Sequence, residues 1–230
     1  MAKVSKVFIG VGHGGSDPGA VANGFKEKDL NLSIALACRD VLERHGVNVL
    51  MSRTKDEDDI TSIKECNAYN PDYALDIHNN AGGGDGAEIF YHYGGGTGKT
   101  LAQNVLNEIV KIGQNSRGIK TKRNAFGFDY YGFIRQTSAP AIIIECAFVD
   151  NKTDLAIIDT EAERKTMGIA IAKGVLSTLG IAYVEPKPVV TDTNVGDKIY
   201  RVQVGAYKVK ANAEAMQKKL KNAGFTAIIV

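Results

Sequence analysis

Four polar side chains stand where an apolar run gives way to polar chain or where a helix begins, and together they could hydrolyse an amide or an ester. His13 follows the run Val7-Phe-Ile-Gly-Val11, His78 follows the run at 73–77, and Glu145 follows four apolar residues at 141–144. A further carboxylate, Glu27, precedes a helical pattern in the turn Gly24-Phe-Lys-Glu27. In open α/β sheets the crevice outside the carboxyl ends of the strands is where ligands sit, so these groups can converge there. Two histidines and a carboxylate are a ligand set for catalytic zinc, with the fourth position left to water. A second carboxylate then has its own task, accepting the proton of a water that the metal acidifies.

Each residue taken singly has a plainer reading. A lone histidine after a strand is commonly structural, Asn79 and Asn80 could form a turn beside His78, and Glu27 suits a helix start through the helix dipole. Glu145 is the sharpest signal, because an ionisable group directly after four apolar residues is costly to bury without a partner or a function. His45, at a helix end, and His92, between two tyrosines, read as structural or exposed.

The elements that must position these groups are legible in the apolar periodicity. Runs at 7–11, 47–51, 73–77, 87–91 and 141–144 read as strands, several of them nearly continuously apolar. Strands of that kind are covered on both faces, which predicts an α/β fold, a three-layer sandwich with a largely parallel, mixed and twisted sheet. Helical periods run over 28–44, ended by His45-Gly46, and over 101–112 and 162–179. A strand at 199–204, a helix at 211–223 and a strand at 225–230 predict a small C-terminal βαβ segment.

Composition narrows the class. The chain of 230 residues is 44% hydrophobic and 23% charged, which excludes wholesale disorder, collagen-like repetition and coiled coil. No apolar run approaches the roughly 18 residues of a membrane span, and the first residues lack the apolar stretch of a signal peptide. Three cysteines at unrelated spacings, Cys38, Cys66 and Cys146, suit free thiols in a reducing compartment. The net charge of +2 hides an asymmetry: residues 1–182 sum to −2, residues 183–197 to −2 and residues 198–230 to +6. The expected organisation is a catalytic domain at 1–182, a proline-containing linker at 183–197, and a short basic segment at 198–230.

Three competing motifs are present. Gly10-Val-Gly-His-Gly-Gly15 satisfies the dinucleotide glycine pattern, but that pattern needs a helix to open there and loop residues follow. Gly94-Gly-Gly-Thr-Gly-Lys-Thr100 is one residue short of a phosphate-binding loop. Cys146 could serve a Cys–His hydrolase, yet on a strand it points away from the face of Glu145.

The quoted residues, joined by Asp17-Pro-Gly19, Ser52-Arg53-Thr54, His78-Asn-Asn80-Ala81 and Pro140-Ala-Ile-Ile-Ile-Glu145-Cys-Ala-Phe148, resemble the zinc-dependent N-acetylmuramoyl-L-alanine amidases of sporulation and phage lysis. The likeness spans residues 4 to 182. It implies that His13, Glu27 and His78 bind one zinc ion, that Glu145 is the acid/base, and that peptidoglycan is cut between N-acetylmuramic acid and L-alanine. Asn80 and Arg53 match further motif positions and are expected to contact substrate, although Arg53 could equally brace a strand end. Asp76, where serine is common, and Cys146-Ala147 depart from the pattern.

The tail, with Tyr200-Arg-Val-Gln-Val-Gly-Ala-Tyr207, resembles half of a sporulation-related repeat domain, which implies binding to the cell wall and possible dimerisation through a second copy. A non-catalytic wall-binding protein is the rival reading; partners of nucleic acid or membrane are not expected. Synthesis without a leader, followed by release through lysis or a holin, completes the expectation, with a phage lysin narrowly favoured over a sporulation amidase.

Overall fold

The computed structural model describes residues 4–58, 62–186, 204–207, 209–222 and 227–229. The chain divides into two compact units, Met1–Glu185 and Pro186–Val230.

In the first unit the order is β1 (Lys6–Val11), a two-stranded ribbon of β2 (Val21–Ala22) and β3 (Phe25–Lys26), α1 (Glu27–Arg44), β4 (Asn48–Met51), α2 (Ser62–Tyr69), β5 (Tyr73–Asn80) and β6 (Ala87–Tyr91). There follow α3 (Gly96–Lys111), β7 (Ser116–Lys120), α4 (Gly132–Gln136), β8 (Ala141–Phe148), α5 (Lys152–Leu155) and α6 (Glu161–Leu179). Six strands form one sheet in the order β4-β1-β5-β8-β6-β7. Every neighbouring pair is parallel except β8 with β6.

Strand alternation sorts the side chains into two layers. On one face Val7, Ile9, Leu75, Ile77, Ile89, Ile142 and Ile144 pack under α1, α3 and α6 in the larger core. On the other, Phe8, Ala74, Phe90 and Ile143 pack with Cys66 of α2 and with Phe133 and Ile134 of α4. The result is a helix–sheet–helix sandwich with a largely parallel sheet. Helix α6 starts with a capping box between Thr160 and Glu163, which satisfies backbone donors that the helix itself cannot.

Two strands run further than their apolar runs suggest. His78 lies inside β5 and Glu145 inside β8, where they were expected just beyond the strand ends. The reason is local: at the carboxyl end of the sheet the second face turns from apolar to polar, so Asp76, His78 and Asn80 alternate with Ile77 and Asn79 without breaking the ladder. Strand β7 had no apolar signature, being a polar edge strand, and the short helices α2, α4 and α5 were not anticipated either.

In the second unit α7 (Lys210–Asn222) is the one regular element among the described residues. The strands expected at 199–204 and 225–230, and most of the linker at 183–197, lie outside the described residues; the described parts of those two segments, 204 and 227–229, carry no strand.

Candidate metal centre

Glu27 is the first residue of α1, and its carboxylate lies under two histidines. His13 Nε2 is 3.2 Å from Glu27 Oε2 and His78 Nδ1 is 3.1 Å from Glu27 Oε1. The two imidazoles meet edge to face, with ring centroids 5.1 Å apart. One donor atom from each of His13, Glu27 and His78 can be chosen so that all lie within 4.8 Å of one another, which is a group that could hold a metal ion.

The far nitrogen of each histidine is anchored by a carboxylate. His13 Nδ1 donates to Asp17 Oδ2 at 2.8 Å, and His78 Nε2 stands 3.5 Å from Asp76 Oδ2. Such outer partners fix the ring orientation and tautomer of a ligating histidine and raise its basicity. Glu27 is itself held: Oε2 accepts from the Ala20 amide at 2.9 Å, and Oε1 from the Asn79 amide at 3.1 Å and from Asn31 Nδ2 at 3.3 Å. Asn31 in turn donates to the Gly12 carbonyl and accepts from Asn79 Nδ2, so α1, β5 and the loop after β1 are tied at this one point.

The sequence makes space here by omitting side chains. A Cβ on Gly12 would fall 2.2 Å from the His78 ring, and one on Gly10 would fall 2.6 Å from Asp76 Oδ1. His13 itself takes the left-handed conformation, at a φ of 61°. That costs a residue with a side chain about 1 to 2 kcal/mol and persists where surrounding contacts over-determine it. They do: Arg53, 2% exposed, donates to the carbonyls of Val11, Gly12, Lys28 and Lys55, while Lys28 bridges the Gly15 carbonyl and Asp56. Asp56 and Asp58 accept from the amides of Gly15 and Ser16.

Electrostatics separates the two glutamates. Burial pushes the Glu27 carboxyl up, but hydrogen bonds from His13, His78 and the Ala20 amide overcome it and hold the group well below the carboxylate range. Burial would lower His78, yet Asp76 and Glu27 beside it hold the imidazole well above its ordinary value. Glu145, half-buried and in register with His78 on the next strand, is pushed up to about 7 by burial and by the neighbouring carboxylates Glu27, Glu88 and Asp76, which outweigh the pull of His78. One carboxylate is thus fixed as an anion and the other is poised to exchange a proton near neutral pH.

The structure brings His13, Glu27 and His78 into one cluster and sets Glu145 beside it. Asn80 shares the strand face of His78, donating to Glu88 Oε1 at 3.2 Å, and Arg53 is enclosed among backbone carbonyls instead of lining open space. Asp17 and Asp76 were not expected as partners. Their signals were available, an aspartate four residues after one histidine and another two residues before its counterpart on a strand. Cys146 is fully buried in the larger core on the face opposite Glu145, and burial pushes its thiol well above the usual value, so a thiolate nucleophile has no place here. His45 and His92 are engaged elsewhere, by Val41 and Val184 and by Asp129 and Gly94. The glycine segment after β1 continues as a loop and ribbon without opening a helix there, which removes the dinucleotide reading.

Comparison with protein families matches residues 7–177 to N-acetylmuramoyl-L-alanine amidase, of the Amidase_3 type. The chain belongs to this family. Residues 170–230 match the SPOR domain, so that likeness begins within α6, earlier than the tail segment at 198–230. Over 98% of its length this amidase is 36% identical to N-acetylmuramoyl-L-alanine amidase CwlM of Bacillus licheniformis, covering 84% of that protein. It is 33% identical to the sporulation-specific N-acetylmuramoyl-L-alanine amidase of Bacillus subtilis, again over 98% of the chain and 84% of the relative. Among solved structures, Cwp6 from Clostridium difficile superimposes with a TM-score of 0.76 at 38% identity, over 78% of this amidase and 30% of that chain.

Proposed function

We propose that this amidase is zinc-dependent, with His13 Nε2, a Glu27 carboxylate oxygen and His78 Nδ1 as the protein ligands and Glu145 as the general acid/base. The donor set fits the ion: two imidazoles and one carboxylate, each nitrogen on the far side held by an aspartate, is the chemistry of a catalytic zinc site with one position open to water. Bound there, zinc would polarise the scissile carbonyl and lower the pKa of water. Glu145 takes the proton of the attacking water and returns it to the amine that leaves, which needs a group whose pKa lies near the working pH. Asp17 and Asp76 hold the imidazoles in the ligating orientation, and Arg53 is a positioning residue that keeps the His13 loop in its left-handed turn. Asn80 links the strand face of His78 to Glu88.

The bond cut is the amide between N-acetylmuramic acid and L-alanine of peptidoglycan, as the family name states. The observation that carries the metal-dependent reading is the convergence of three ligand atoms from distant parts of the chain on one point beside Glu145. The basic tail, by its likeness to the SPOR domain, serves as a wall-binding element. Likeness over nearly the whole chain to a sporulation-specific amidase favours a sporulation lysis enzyme over the phage lysin. Mass spectrometry of wall digests tests the activity: new L-alanine amino termini should accumulate, and stop accumulating with a strong zinc chelator. Cleavage unaffected by complete metal removal would refute zinc dependence.

A further inference from the structure

Beside the catalytic residues lies a charged cluster that the chemistry above does not use. Glu145 on β8 pairs in register with His78 on one side and with Glu88 of β6 on the other, so the three form a row across neighbouring strands. Glu88 is buried, and its Oε2 accepts from both Arg117 Nε, at 2.7 Å, and Lys120 Nζ, at 2.6 Å, from the edge strand β7. Its Oε1 accepts from Asn80. Two cations therefore serve one carboxylate and leave a surplus positive charge at the end of the row.

Lysine and arginine on an edge strand commonly point to solvent, where they discourage pairing with another chain. Here both turn inward onto Glu88, yet each side chain keeps about a third of its surface open, 37% for Arg117 and 36% for Lys120. The Arg117 guanidinium lies 5.0 Å over the Phe148 ring, which fixes its plane, and among the described residues its two terminal nitrogens make no hydrogen bond. A fixed guanidinium fork with unused donors beside an ammonium suits a carboxylate.

We propose that Arg117 and Lys120, held by Glu88, form a subsite for a free carboxylate on the stem-peptide residue that follows the L-alanine. The proposal rests on the amide-cleaving reading of the site. Strands lie about 4.8 Å apart, so cations drawn over β6 stand on the order of 5 to 10 Å from Glu145, and an extended peptide advances roughly 3.3 Å per residue. The residue after L-alanine therefore reaches them when the scissile amide is at Glu145.

Calorimetric titration of the full chain with L-alanyl-D-glutamic acid γ-methylamide and with the corresponding α-amide, the γ-carboxyl being blocked in both, tests this without relying on turnover. The acid should bind about tenfold more tightly than the amide, as a charge-assisted hydrogen bond in a half-exposed site provides. Lys120→Gln and Arg117→Gln should each carry that ratio towards one, Lys120→Arg should restore it, and thermal melting checks that each variant is folded. Equal binding of acid and amide by the unaltered chain, or an unchanged ratio in the folded variants, overturns the subsite. Turnover of the amidated muramoyl dipeptide reports the amidase reading separately. Cleavage without any acid preference removes the subsite alone; acid preference without cleavage of either form leaves the subsite standing and removes the proposed reaction.

Discussion

Gly10 and Asp76 face one another in register across β1 and β5, and the side chain that one lacks makes room for the carboxylate of the other. That carboxylate is the partner of the far nitrogen of His78. A residue without chemistry of its own thus sets the orientation of a proposed metal ligand.

From this pairing, Asp76→Ala should weaken zinc binding roughly 10- to 100-fold, the usual consequence of losing an outer partner of a ligating histidine. Gly10→Ala should produce a similar loss by displacing Asp76. Competition against a chromophoric chelator measures both. Affinity equal to that of the unaltered chain in Asp76→Ala would show that His78 is oriented by other contacts.

Arg53→Ala should destabilise the first unit by about 3 kcal/mol, since it strands buried carbonyls that the guanidinium now satisfies. Urea unfolding at neutral pH reads the change. Turnover should fall as well, because the left-handed turn at His13 loses its brace; a variant of unchanged stability would mean the carbonyls find other donors.

Acid should weaken the fold partly through Glu88. Burial raises its carboxyl, but Lys120 and Arg117 overcome that and hold it below its ordinary value of 4.5. A group depressed on folding stabilises the folded state above its unfolded pKa, and that contribution is lost as pH falls through the folded value. The urea midpoint of the unaltered chain should therefore drop more steeply below pH 4.5 than that of Glu88→Gln. Parallel curves for the two proteins would assign the acid sensitivity to other carboxylates.

Thiol reagents should leave the enzyme active. All three cysteines are buried and unpaired, and burial pushes the thiols of Cys38, Cys66 and Cys146 up, those of Cys66 to about 12. Iodoacetamide should label none of them in the folded protein within minutes and all of them in urea, as counted by intact mass. Rapid native labelling with loss of activity would reopen a thiol mechanism.

How much of this was legible in the sequence depended on which side of a strand carried the signal. The run 141–144 announces a strand because both faces are apolar there. At His78 and Glu145 only one face remains apolar, so periodicity marks a strand end where the hydrogen-bonded ladder continues. Strand β7 was silent for the same reason carried further: beside Ser116, Arg117 and Lys120 only Ile119 is apolar, and one residue shows no period. The four candidate residues stood out in the sequence because His13, His78 and Glu145 each follow an apolar run and Glu27 opens a helical pattern. Arg53 stood in a quoted motif, but its contacts to carbonyls distant in sequence were not legible there; Asp17 and Asp76 lie close in sequence to their histidines, and their pairing with the far ring nitrogens follows only from the orientation of the rings.

The division of labour between three ligands and one proton carrier is tested most directly by metal analysis and wall digestion on the same protein samples. Glu145→Gln should retain about one zinc per chain and release no muramoyl-linked peptide, whereas His13→Ala and His78→Ala should lose both the metal and the cleavage. A Glu145→Gln protein that still cuts peptidoglycan, or a His13→Ala protein that keeps its zinc in full, would contradict the account.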